Sequence, residues 1–591
     1  MREPLTKPLL LTKGRPRAAF WYAEETYMTL RAITTFIGSI PETIAQVISR
    51  RPYLSALAVF AFFFVIFAII YLPNTILSAG DDHFFHFRFA YEMREQGFLN
   101  AFQNFKAIYF SKIAQGVYYP YYNFLFYLVI IPFTYLTPLY LGIKLYAVVA
   151  ASLFFTVLYL AARFFNIRYA FLWVLFIFSI ASTSSIYRLF LSRPYVLAPA
   201  FLVVLILCLE RRRYVLAALV SFAYLYWYDA TFFFPLCTAV VYYLFEQLYR
   251  GRAAWKGLLW VLGGTAAAVL VVMLMAPGFL AFLHDIIFGD VLTVTQQIRI
   301  PEGGELYPID IFGYIHDNTL LFAFLIIACC YELWLYTFHK AASAVLDEHA
   351  PLRATLVFLA GGFFAADVLI SGRFGDYLLM LFGLYLILAL DSIRARVTVE
   401  KTLGAYLKAG LFLALGYLFI TAMLSFNTSL ANNGSPVQLL EGTGTWLADH
   451  TQPGDVIFDA NWSWFAQLYY WSPADYYVAG IEPRFLYTYD STLYWLWNNM
   501  SNYGIACDSE YCPDLYLQSV GAYGHPGTPA TTAWIREEGN TIAGILVNKF
   551  HATYIVSSYQ YTLFNMLLDN NPHFTKVYGG NRTFYVYSVT P

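Results

Sequence analysis

The chain has 591 residues, of which 59% are hydrophobic and only 12% are charged. This composition excludes an ordinary soluble protein, because a surface that faces water throughout needs far more charged side chains. The formal net charge of −1 offers no basic surface for nucleic acid. We therefore expect a polytopic α-helical membrane protein that is long enough to carry an additional domain.

The first 52 residues are basic and run directly into the first hydrophobic segment. They hold eight lysines and arginines: Arg2, Lys7, Lys13, Arg15, Arg17, Arg31, Arg50 and Arg51. They contain no apolar core followed by a small-residue cleavage site, so the pattern does not indicate a cleavable signal peptide. Positive charge before a first span favours the cytoplasmic side, and we expect residues 1–52 to form a cytoplasmic, amphipathic and basic segment.

Eleven hydrophobic runs are long enough to cross a membrane. They lie at about 53–73, 141–162, 169–186, 194–210, 213–229, 230–247, 257–277, 317–338, 352–370, 376–391 and 403–424. Counting from a cytoplasmic N-terminus, every inner loop is then rich in arginine or lysine, as the positive-inside rule requires. Residues 119–137 are also apolar, but a crossing there would invert all later loops. We interpret them as a re-entrant or outer helix, with thirteen spans as the alternative.

This orientation predicts three parts of the chain. Residues 53–425 form the transmembrane domain, with outer loops at 74–118 and 278–316. Residues 426–591 lie outside the cytoplasm, and their runs alternate between helix-like (436–450, 463–471) and strand-like (456–458, 476–479, 553–556, 584–587). Such alternation is typical of an α/β domain. We expect an integral protein of the plasma or inner membrane, or of the endoplasmic reticulum in a eukaryote.

The first outer loop opens with residues 80–88, which read Gly-Asp-Asp-His-Phe-Phe-His-Phe-Arg. Asp81 or Asp82 can act as a general base on an acceptor, or hold a divalent metal beside a phosphate leaving group. Asp82 and His86 stand four residues apart and share a face if a helix begins here, and His83 belongs to the same turn. We expect both histidines to face the acceptor or substrate. The alternative is that an aspartate only caps the helix.

This run, followed by Phe-Ala-Tyr-Glu-Met-Arg-Glu-Gln-Gly, resembles the first outer loop of C-class (GT-C) membrane glycosyltransferases. It is most similar to the catalytic subunit of oligosaccharyltransferases. The resemblance implies a GT-C-like domain of about 11–13 spans in which Asp82 is the catalytic and metal-binding aspartate, with Mg²⁺ or Mn²⁺ as the metal. It also implies that His86 is the family's polar position and that Arg88 is its arginine, and we count Arg88 among the residues predicted to bind the donor phosphate. The second acidic pair and the Trp-Trp-Asp-Tyr-Gly motif of that subunit are absent.

Further candidates lie at the predicted outer ends of the spans. Glu305, in a glycine-containing part of the 278–316 loop, is placed to complete a catalytic site, as the glutamate of family members does there; a plain connecting loop is the alternative. Arg188, Arg193 and Arg373 can offset phosphate charge, because the guanidinium fork matches phosphate oxygens. Interfacial arginines that reach lipid headgroups are the alternative. Asp229, between two closely spaced spans, is a buried acid that can face substrate.

The C-terminal region contributes a predicted acceptor surface and a predicted disulfide. Asp459, Asn461 and Trp462 follow a strand, and ligands of open α/β sheets bind at the carboxyl ends of strands. Packing of the domain on the membrane part is the alternative. Cys507 and Cys512 are close together in a polar segment, a spacing that can close a small disulfide loop in an oxidising compartment.

We therefore predict a membrane glycosyltransferase. It moves a sugar or glycan from a polyprenyl-phosphate or polyprenyl-diphosphate donor to a glycan, lipid or protein acceptor on the outer face of the membrane. Membrane lipids are the other partners. A transporter or flippase is one alternative, although its acids usually lie at mid-membrane depth. A noncatalytic glycan-binding membrane protein is the other.

Overall fold

The computed structural model describes residue 39 and residues 52–73, 76–77, 82–251, 255–276, 278–285, 307–338, 349–396, 401–512, 529–579 and 583–590. Two predicted catalytic residues, Asp81 and Glu305, lie outside these described residues, as does almost all of the basic N-terminal segment. The remaining predicted site residues are all described.

The described residues up to 433 are helical apart from one two-residue strand, and those after 433 are mixed. The helices of the first part are α1 (Pro52–Tyr71), α2 (Asp82–Gln96), α3 (Phe98–Gln103), α4 (Phe124–Ile130), α5 (Leu139–Phe164), α6 (Ala170–Ile180), α7 (Thr183–Arg188), α8 (Ala198–Glu210), α9 (Tyr214–Trp227), α10 (Phe234–Arg250), α11 (Trp255–Met275), α12 (Phe279–His284), α13 (Ile311–Asp317), α14 (Thr319–Phe338), α15 (Ala350–Leu369), α16 (Leu378–Arg396) and α17 (Lys401–Asn433). Short 3-10 turns lie at Ile131–Tyr135, Pro194–Val196, Asp229–Thr231 and Gly372–Tyr377.

Apolar helices account for all eleven predicted spans. Seven helices of the described residues are long and apolar enough to cross a membrane, and α13 with α14 makes an eighth if this pair, bent by 90°, is one span. The other three predicted spans correspond to shorter helices, Ala170–Ile180, Pro194–Glu210 and Tyr214–Trp227. The chain is an integral membrane protein.

Two of the shorter helices end earlier than the sequence predicts. The run 169–186 breaks after α6, because Ser182 is extended and its side chain accepts a hydrogen bond from the Ser185 amide, which starts α7. The run 213–229 stops at Trp227, where Tyr228 takes an extended conformation. The residues after Trp227 become a connection at one end of the bundle, and Tyr228 and Asp229 of this connection line the site described below.

The segment 119–137 forms α4 and the following 3-10 turn, and it packs on helix α2 of the first loop. The Arg94 guanidinium of α2 donates a hydrogen bond of 2.7 Å to the Thr134 carbonyl. His86 Nδ1 and the Tyr127 hydroxyl are 2.9 Å apart. This segment therefore lies with the first loop, at the same end of the bundle.

A short antiparallel ribbon joins the first loop to the C-terminal domain. Strand β1 (Ile76–Leu77) follows α1, and strand β2 (Ser435–Pro436) follows α17; Ile76 pairs with Pro436. The two long helices therefore end at the same face of the bundle. The first loop and the C-terminal domain share that face.

The C-terminal domain contains a five-stranded sheet. Its elements are α18 (Glu441–His450), β3 (Val456–Asp459), α19 (Phe465–Trp471), β4 (Tyr476–Tyr477), α20 (Arg484–Tyr489), α21 (Ser491–Tyr503), α22 (Pro529–Asn548), β5 (Tyr554–Ser558), α23 (Thr562–Asp569), β6 (Phe574–Tyr578) and β7 (Phe584–Val589). The strand order is β4-β3-β5-β7-β6, with β3 parallel to both of its neighbours and β7 antiparallel to both of its own. The predicted α/β domain is confirmed.

Helix α2 forms the joint between the two parts. It ends at Gly97, whose φ of +94° favours glycine. The Phe85 ring lies 6.0 Å from the Phe465 ring and 5.6 Å from the Tyr469 ring of α19, between ring centroids. The Tyr109 amide also donates a 2.9 Å hydrogen bond to the Tyr477 carbonyl at the edge of the sheet. Aromatic packing therefore fixes the domain directly above the first loop.

Candidate functional site

A cavity of about 470 Å³ lies at the face of the bundle that carries the C-terminal domain. Its walls come from the start of α2, from residues 118–123, 193–195, 228–234, 282–285 and 366–377, and from residues 482–488 of the C-terminal domain. Most of the lining is apolar and aromatic, including Tyr195, Phe234, Phe374 and Tyr377. The size and lining suit a ligand with a substantial hydrocarbon part.

Asp82 presents its carboxylate to this cavity from the first residue of α2. An acidic residue is favourable there because the amino end of a helix carries partial positive charge. Its Oδ2 atom lies 3.2 Å from Arg193 Nη2, and the two side chains are 25% and 10% exposed. Asp82 and Arg193 thus form an ion pair in the cavity wall, although different roles were predicted for them from the sequence.

His86 lies one helical turn after Asp82 and also lines the cavity. Burial, and then the positive charge of Arg193, hold the pKa of His86 well below its usual value. His86 is therefore neutral at physiological pH, and it acts as a hydrogen-bonding group rather than a cation. His83 is buried but does not line this cavity, and burial lowers its pKa to about 3.

A second ion pair lies across the boundary between the bundle and the domain. Arg373 belongs to the 3-10 turn that links α15 to α16, and its Nη2 atom is 3.3 Å from Glu482 Oε1 of the C-terminal domain. Tyr121 lines the cavity within electrostatic reach of Asp82, Glu482 and Arg373. Burial, and then the two carboxylates, raise the pKa of Tyr121 well above 10, so its hydroxyl remains protonated.

Asp229 also lines the cavity and is almost completely buried. Its Oδ2 atom accepts a 2.8 Å hydrogen bond from the Tyr122 amide. Its own amide donates a 2.9 Å bond to Asn123 Oδ1. These bonds hold residues 119–123 against the turn that follows α9, so Asp229 shapes the wall as well as facing the cavity.

Two predicted phosphate-binding arginines do not line this cavity. Arg188 makes a two-pronged ion pair with Asp376, at 2.6 Å and 2.9 Å, beside a neighbouring cavity of about 310 Å³. Arg88 pairs with Glu92, one turn further along α2, at 2.8 Å. Arg88 lies on α2, as Asp82 does, and Arg188 lies on α7, but neither side chain faces the cavity that Asp82 lines.

The predicted acceptor residues of the tail are also absent from this cavity's lining. Asp459 is buried inside the domain, where its Oδ1 atom accepts a 3.0 Å hydrogen bond from the Ala479 amide. Asn461 accepts a 2.9 Å bond from the Ser463 amide and thereby caps the turn that contains Trp462. The contacts of Asp459 and Asn461 stabilise the domain.

Sequence reasoning left several lining residues out of the site. Glu482 and Arg484 were not predicted for the site, although they follow the strand-like run 476–479 and the carboxyl end of a strand is a usual ligand position. Nothing in the sequence distinguished Tyr121 from the many other aromatic residues of the chain. Asp285 also lines the cavity, and its carboxylate accepts hydrogen bonds from Lys112 at 2.7 Å and from the Tyr118 hydroxyl at 3.1 Å.

Cys507 and Cys512 are joined in a disulfide, with their Cα atoms 6.1 Å apart. The Asn499 side-chain amide of α21 donates a 2.9 Å hydrogen bond to the Cys507 carbonyl. Neither cysteine lines the cavity, so the link belongs to the C-terminal domain's own structure.

The described residues do not fit a divalent metal at Asp82. Within the described part of the chain, no three His, Cys, Asp or Glu side chains lie close enough together to hold one. Mg²⁺ and Mn²⁺ need several oxygen ligands, whereas the carboxylate of Asp82 faces a guanidinium. We therefore derive no step through a metal.

No family model and no curated protein sequence matches the chain. Solved structures do match it. One is the crystal structure of ArnT from Cupriavidus metallidurans bound to undecaprenyl phosphate, with a TM-score of 0.53 and 10% sequence identity, over 90% of this chain and 97% of that one. Another is ArnT from Cupriavidus metallidurans in the apo state, with a TM-score of 0.50 and 11% identity, over 91% and 98%.

This chain has an ArnT-like GT-C fold. The likeness covers both the membrane bundle and the C-terminal domain, since nine tenths of the chain align. The GT-C resemblance seen in residues 80–97 is therefore confirmed at the level of the fold. The closer similarity to oligosaccharyltransferases stays a prediction.

Proposed function

We propose that the protein is a membrane glycosyltransferase that takes its sugar from a polyprenyl-phosphate donor. The observation that carries this proposal is the cavity itself, in which the Asp82 carboxylate and the Arg193 and Arg373 guanidinium groups line the same apolar, aromatic chamber. A lipid-linked sugar has the matching parts: an anionic phosphate, a hydrocarbon chain and an electrophilic anomeric carbon.

The donor half of this proposal rests on charge and on fold. Guanidinium groups bind phosphate through paired, charge-assisted hydrogen bonds. In the structure Arg193 and Arg373 each contact a carboxylate, so a donor phosphate would exchange places with those carboxylates. The matched ArnT structure contains undecaprenyl phosphate, which supports a ligand of the same class here.

The reaction that this arrangement supports is a direct displacement with inversion. The acceptor hydroxyl or amine attacks the anomeric carbon, and the bond from that carbon to the phosphate oxygen breaks. The phosphate leaves with the electron pair, and its charge is offset by Arg193 and Arg373. Asp82 takes the proton from the acceptor. Binding of the phosphate to Arg193 would release Asp82 for this step.

The location of the cavity supports transfer at the outer face of the membrane. The first loop and the C-terminal domain lie at one end of the bundle, tied together by the β1–β2 ribbon. Arg211, Arg212 and Arg213 lie between α8 and α9 at the other end of the bundle. By the positive-inside rule the arginine-rich end faces the cytoplasm. The acceptor is then a glycan, lipid or protein on the opposite side.

The proposal is tested with purified full-length protein in lipid nanodiscs and radiolabelled polyprenyl-phosphate sugars. We expect transfer to an acceptor, or slow hydrolysis without one. Asp82→Asn should abolish this activity. The control is Asp310→Asn, which alters an aspartate that caps α13 and lines neither cavity. No turnover of any donor, or full turnover by the Asp82 variant, would refute the proposal.

A further inference from the structure

The neighbouring cavity of about 310 Å³, from here on the second cavity, shares a wall with the Asp82 cavity. Tyr195 lines both cavities. The 3-10 turn Gly372–Tyr377 also borders both, because it presents Arg373 to the Asp82 cavity and Gly375 and Asp376 to the second cavity. A ligand in the second cavity therefore lies directly behind the proposed donor site.

The Tyr195 ring carries one guanidinium group from each cavity. Arg188 Cζ lies 5.2 Å from the centre of this ring, and Arg193 Cζ lies 5.9 Å from it. Both distances are in the range of cation–π contacts. The arginine of the second cavity and the arginine that pairs with Asp82 thus contact the same ring, which places the second cavity next to the proposed base.

The lining of the second cavity has a larger polar share than that of the Asp82 cavity. Among the described residues, its polar side chains are Ser184, Ser185, Arg188, Tyr314, Asp367 and Asp376. Two acids thus stand against one base, an arrangement that disfavours a second phosphate, since like charges brought together repel. The second cavity therefore suits a ligand other than the phosphate itself.

Asp367 has one carboxylate oxygen left for a ligand. The residue is completely buried, and its Oδ1 atom accepts a 2.8 Å hydrogen bond from the Gly375 amide. Its Oδ2 atom has no hydrogen-bond partner among the described residues. A buried acceptor without a donor is costly. A ligand hydroxyl in the second cavity would supply the donor.

The backbone next to Asp367 is shaped to leave this oxygen uncovered. A Cβ added at Gly375 would lie only 2.9 Å from Asp367 Oδ2. Glycine therefore lets the turn approach the carboxylate through its amide while no side chain covers the second oxygen. Tyr314 of α13 lines the same cavity, and its ring centre lies 5.9 Å from that of Phe364, which fixes the ring.

We propose that the second cavity binds one sugar unit, with Asp367 Oδ2 and the Tyr314 hydroxyl as its hydrogen-bonding partners. Sugar hydroxyls both donate and accept, so they match a lining that mixes carboxylates, hydroxyls and a guanidinium. A volume of about 310 Å³ suits a small polar ligand rather than a prenyl chain. The inference rests on the proposed function, which requires a sugar on the donor and allows one on the acceptor.

The first arm of the test examines the donor as the source of the sugar unit. Isothermal titration calorimetry with purified full-length protein in nanodiscs compares farnesyl phosphate with farnesyl phosphates that carry glucose, mannose, galactose or N-acetylglucosamine. If the donor supplies the sugar unit, at least one of these should bind more tightly than farnesyl phosphate. Asp367→Asn should weaken its binding about 10- to 100-fold, the loss of one charge-assisted hydrogen bond. Farnesyl phosphate itself should bind this variant unchanged.

The second arm examines the acceptor as the source. Saturation-transfer difference NMR measures the binding of the methyl glycosides of the same sugars, with and without saturating farnesyl phosphate. If the acceptor supplies the sugar unit, a methyl glycoside should bind together with farnesyl phosphate. Asp367→Asn should then weaken the glycoside by the same factor and leave the farnesyl-phosphate sugars unaffected.

Asp459→Asn is the matched control. Asp459 is also completely buried, its Oδ1 atom accepts a 3.0 Å bond from the Ala479 amide, and its Oδ2 atom has no partner among the described residues. It lines neither cavity, so this variant should bind every compound like the unaltered protein. Tyr314→Phe keeps the ring and should weaken the sugar compound about 2- to 10-fold. If Asp367→Asn melts earlier than the unaltered protein, Tyr314→Phe decides instead.

The outcomes separate the two proposals. If the unaltered protein binds farnesyl phosphate no better than farnesol, the proposed donor class falls, and the methyl glycosides still test the second cavity. If no attached sugar improves the binding of farnesyl phosphate and no methyl glycoside binds, this inference falls while the donor class stands. The inference also falls if a sugar compound binds Asp367→Asn and Asp459→Asn equally well.

Discussion

Replacing Asp82 by asparagine should have opposite effects on donor binding and on transfer. Asparagine has the same shape and keeps a hydrogen-bonding oxygen at the start of α2, but it carries no charge and is a very poor proton acceptor. The variant therefore separates the two roles that the geometry gives to this carboxylate, as the resting partner of Arg193 and as the proposed base.

The size of the binding effect follows from the Asp82–Arg193 contact. Two unit charges 3.2 Å apart attract by about 5 kcal/mol at an effective dielectric constant of about 20. Most of this is offset by the loss of hydration, and partial exposure of both groups reduces it further. We take about 1 kcal/mol as the net free energy of the Asp82–Arg193 contact, which a donor phosphate must overcome to bind Arg193. Asp82→Asn should then bind a prenyl phosphate about fivefold more tightly.

Transfer should fall in the same variant by about 10²- to 10⁴-fold, the usual contribution of a general base. The assay measures both quantities on one preparation in nanodiscs: titration with farnesyl phosphate for binding, and single-turnover transfer from a radiolabelled donor for the chemical step. Arg193→Met is the comparison variant, and it should weaken binding instead.

Two results would refute this reasoning. If Asp82→Asn weakens prenyl phosphate binding as strongly as Arg193→Met does, the carboxylate supports the donor rather than competing with it. If single-turnover transfer is unchanged while binding improves, Asp82 is not the base.

Three further predictions concern metal, pH and the disulfide. Transfer should persist in excess EDTA, and a loss that Mg²⁺ or Mn²⁺ restores would contradict a site without metal. Because the pKa of His83 is about 3 in the fold, below that of an unfolded histidine, its contribution to stability is present above pH 6.5 and is lost on acidification. The change between pH 7 and pH 5 amounts to about 2 kcal/mol, so the melting temperature should fall over that range, and should fall less in His83→Gln. Replacing Cys507 and Cys512 by serine together should lower the melting temperature, through loss of about 2 kcal/mol, yet leave the affinity for farnesyl phosphate unchanged.

The sequence predicted well those features that depend on local composition. Hydrophobic runs marked the long apolar helices of the described residues, because span length and apolarity are properties of consecutive residues. Asp82 was identifiable for the same reason: a carboxylate directly after the first span is rare in a chain with so few charges. Arg193 and Arg373 stood at the ends of spans, where the loops of one face meet, and both line the cavity.

The features that could not be predicted from the sequence depend on the direction in which a side chain points and on contacts between residues far apart in the chain. Arg188 and Arg193 are five residues apart and looked equivalent, yet the break before α7 and the turn at Pro194–Val196 direct them to different cavities. Glu482 reaches Arg373 across 109 positions of sequence. Nothing local reveals such a pair. Asp459 looked exposed at a strand end, but the sheet and α21 bury it; Trp497 Nε1 donates to its carbonyl at 2.8 Å.

The pairing of charges in the cavity explains how so polar a site can exist at the edge of an apolar bundle. Asp82 faces Arg193, Glu482 faces Arg373 and Asp285 faces Lys112, so each of these acids is balanced before any ligand binds. An unpaired charge here would cost several kcal/mol. A phosphate that displaces two carboxylates preserves the balance for the arginines and leaves one of the displaced carboxylates ready to accept a proton. The resting Asp82–Arg193 ion pair thus links donor binding to activation of the base, and the Asp82 variant measures this link.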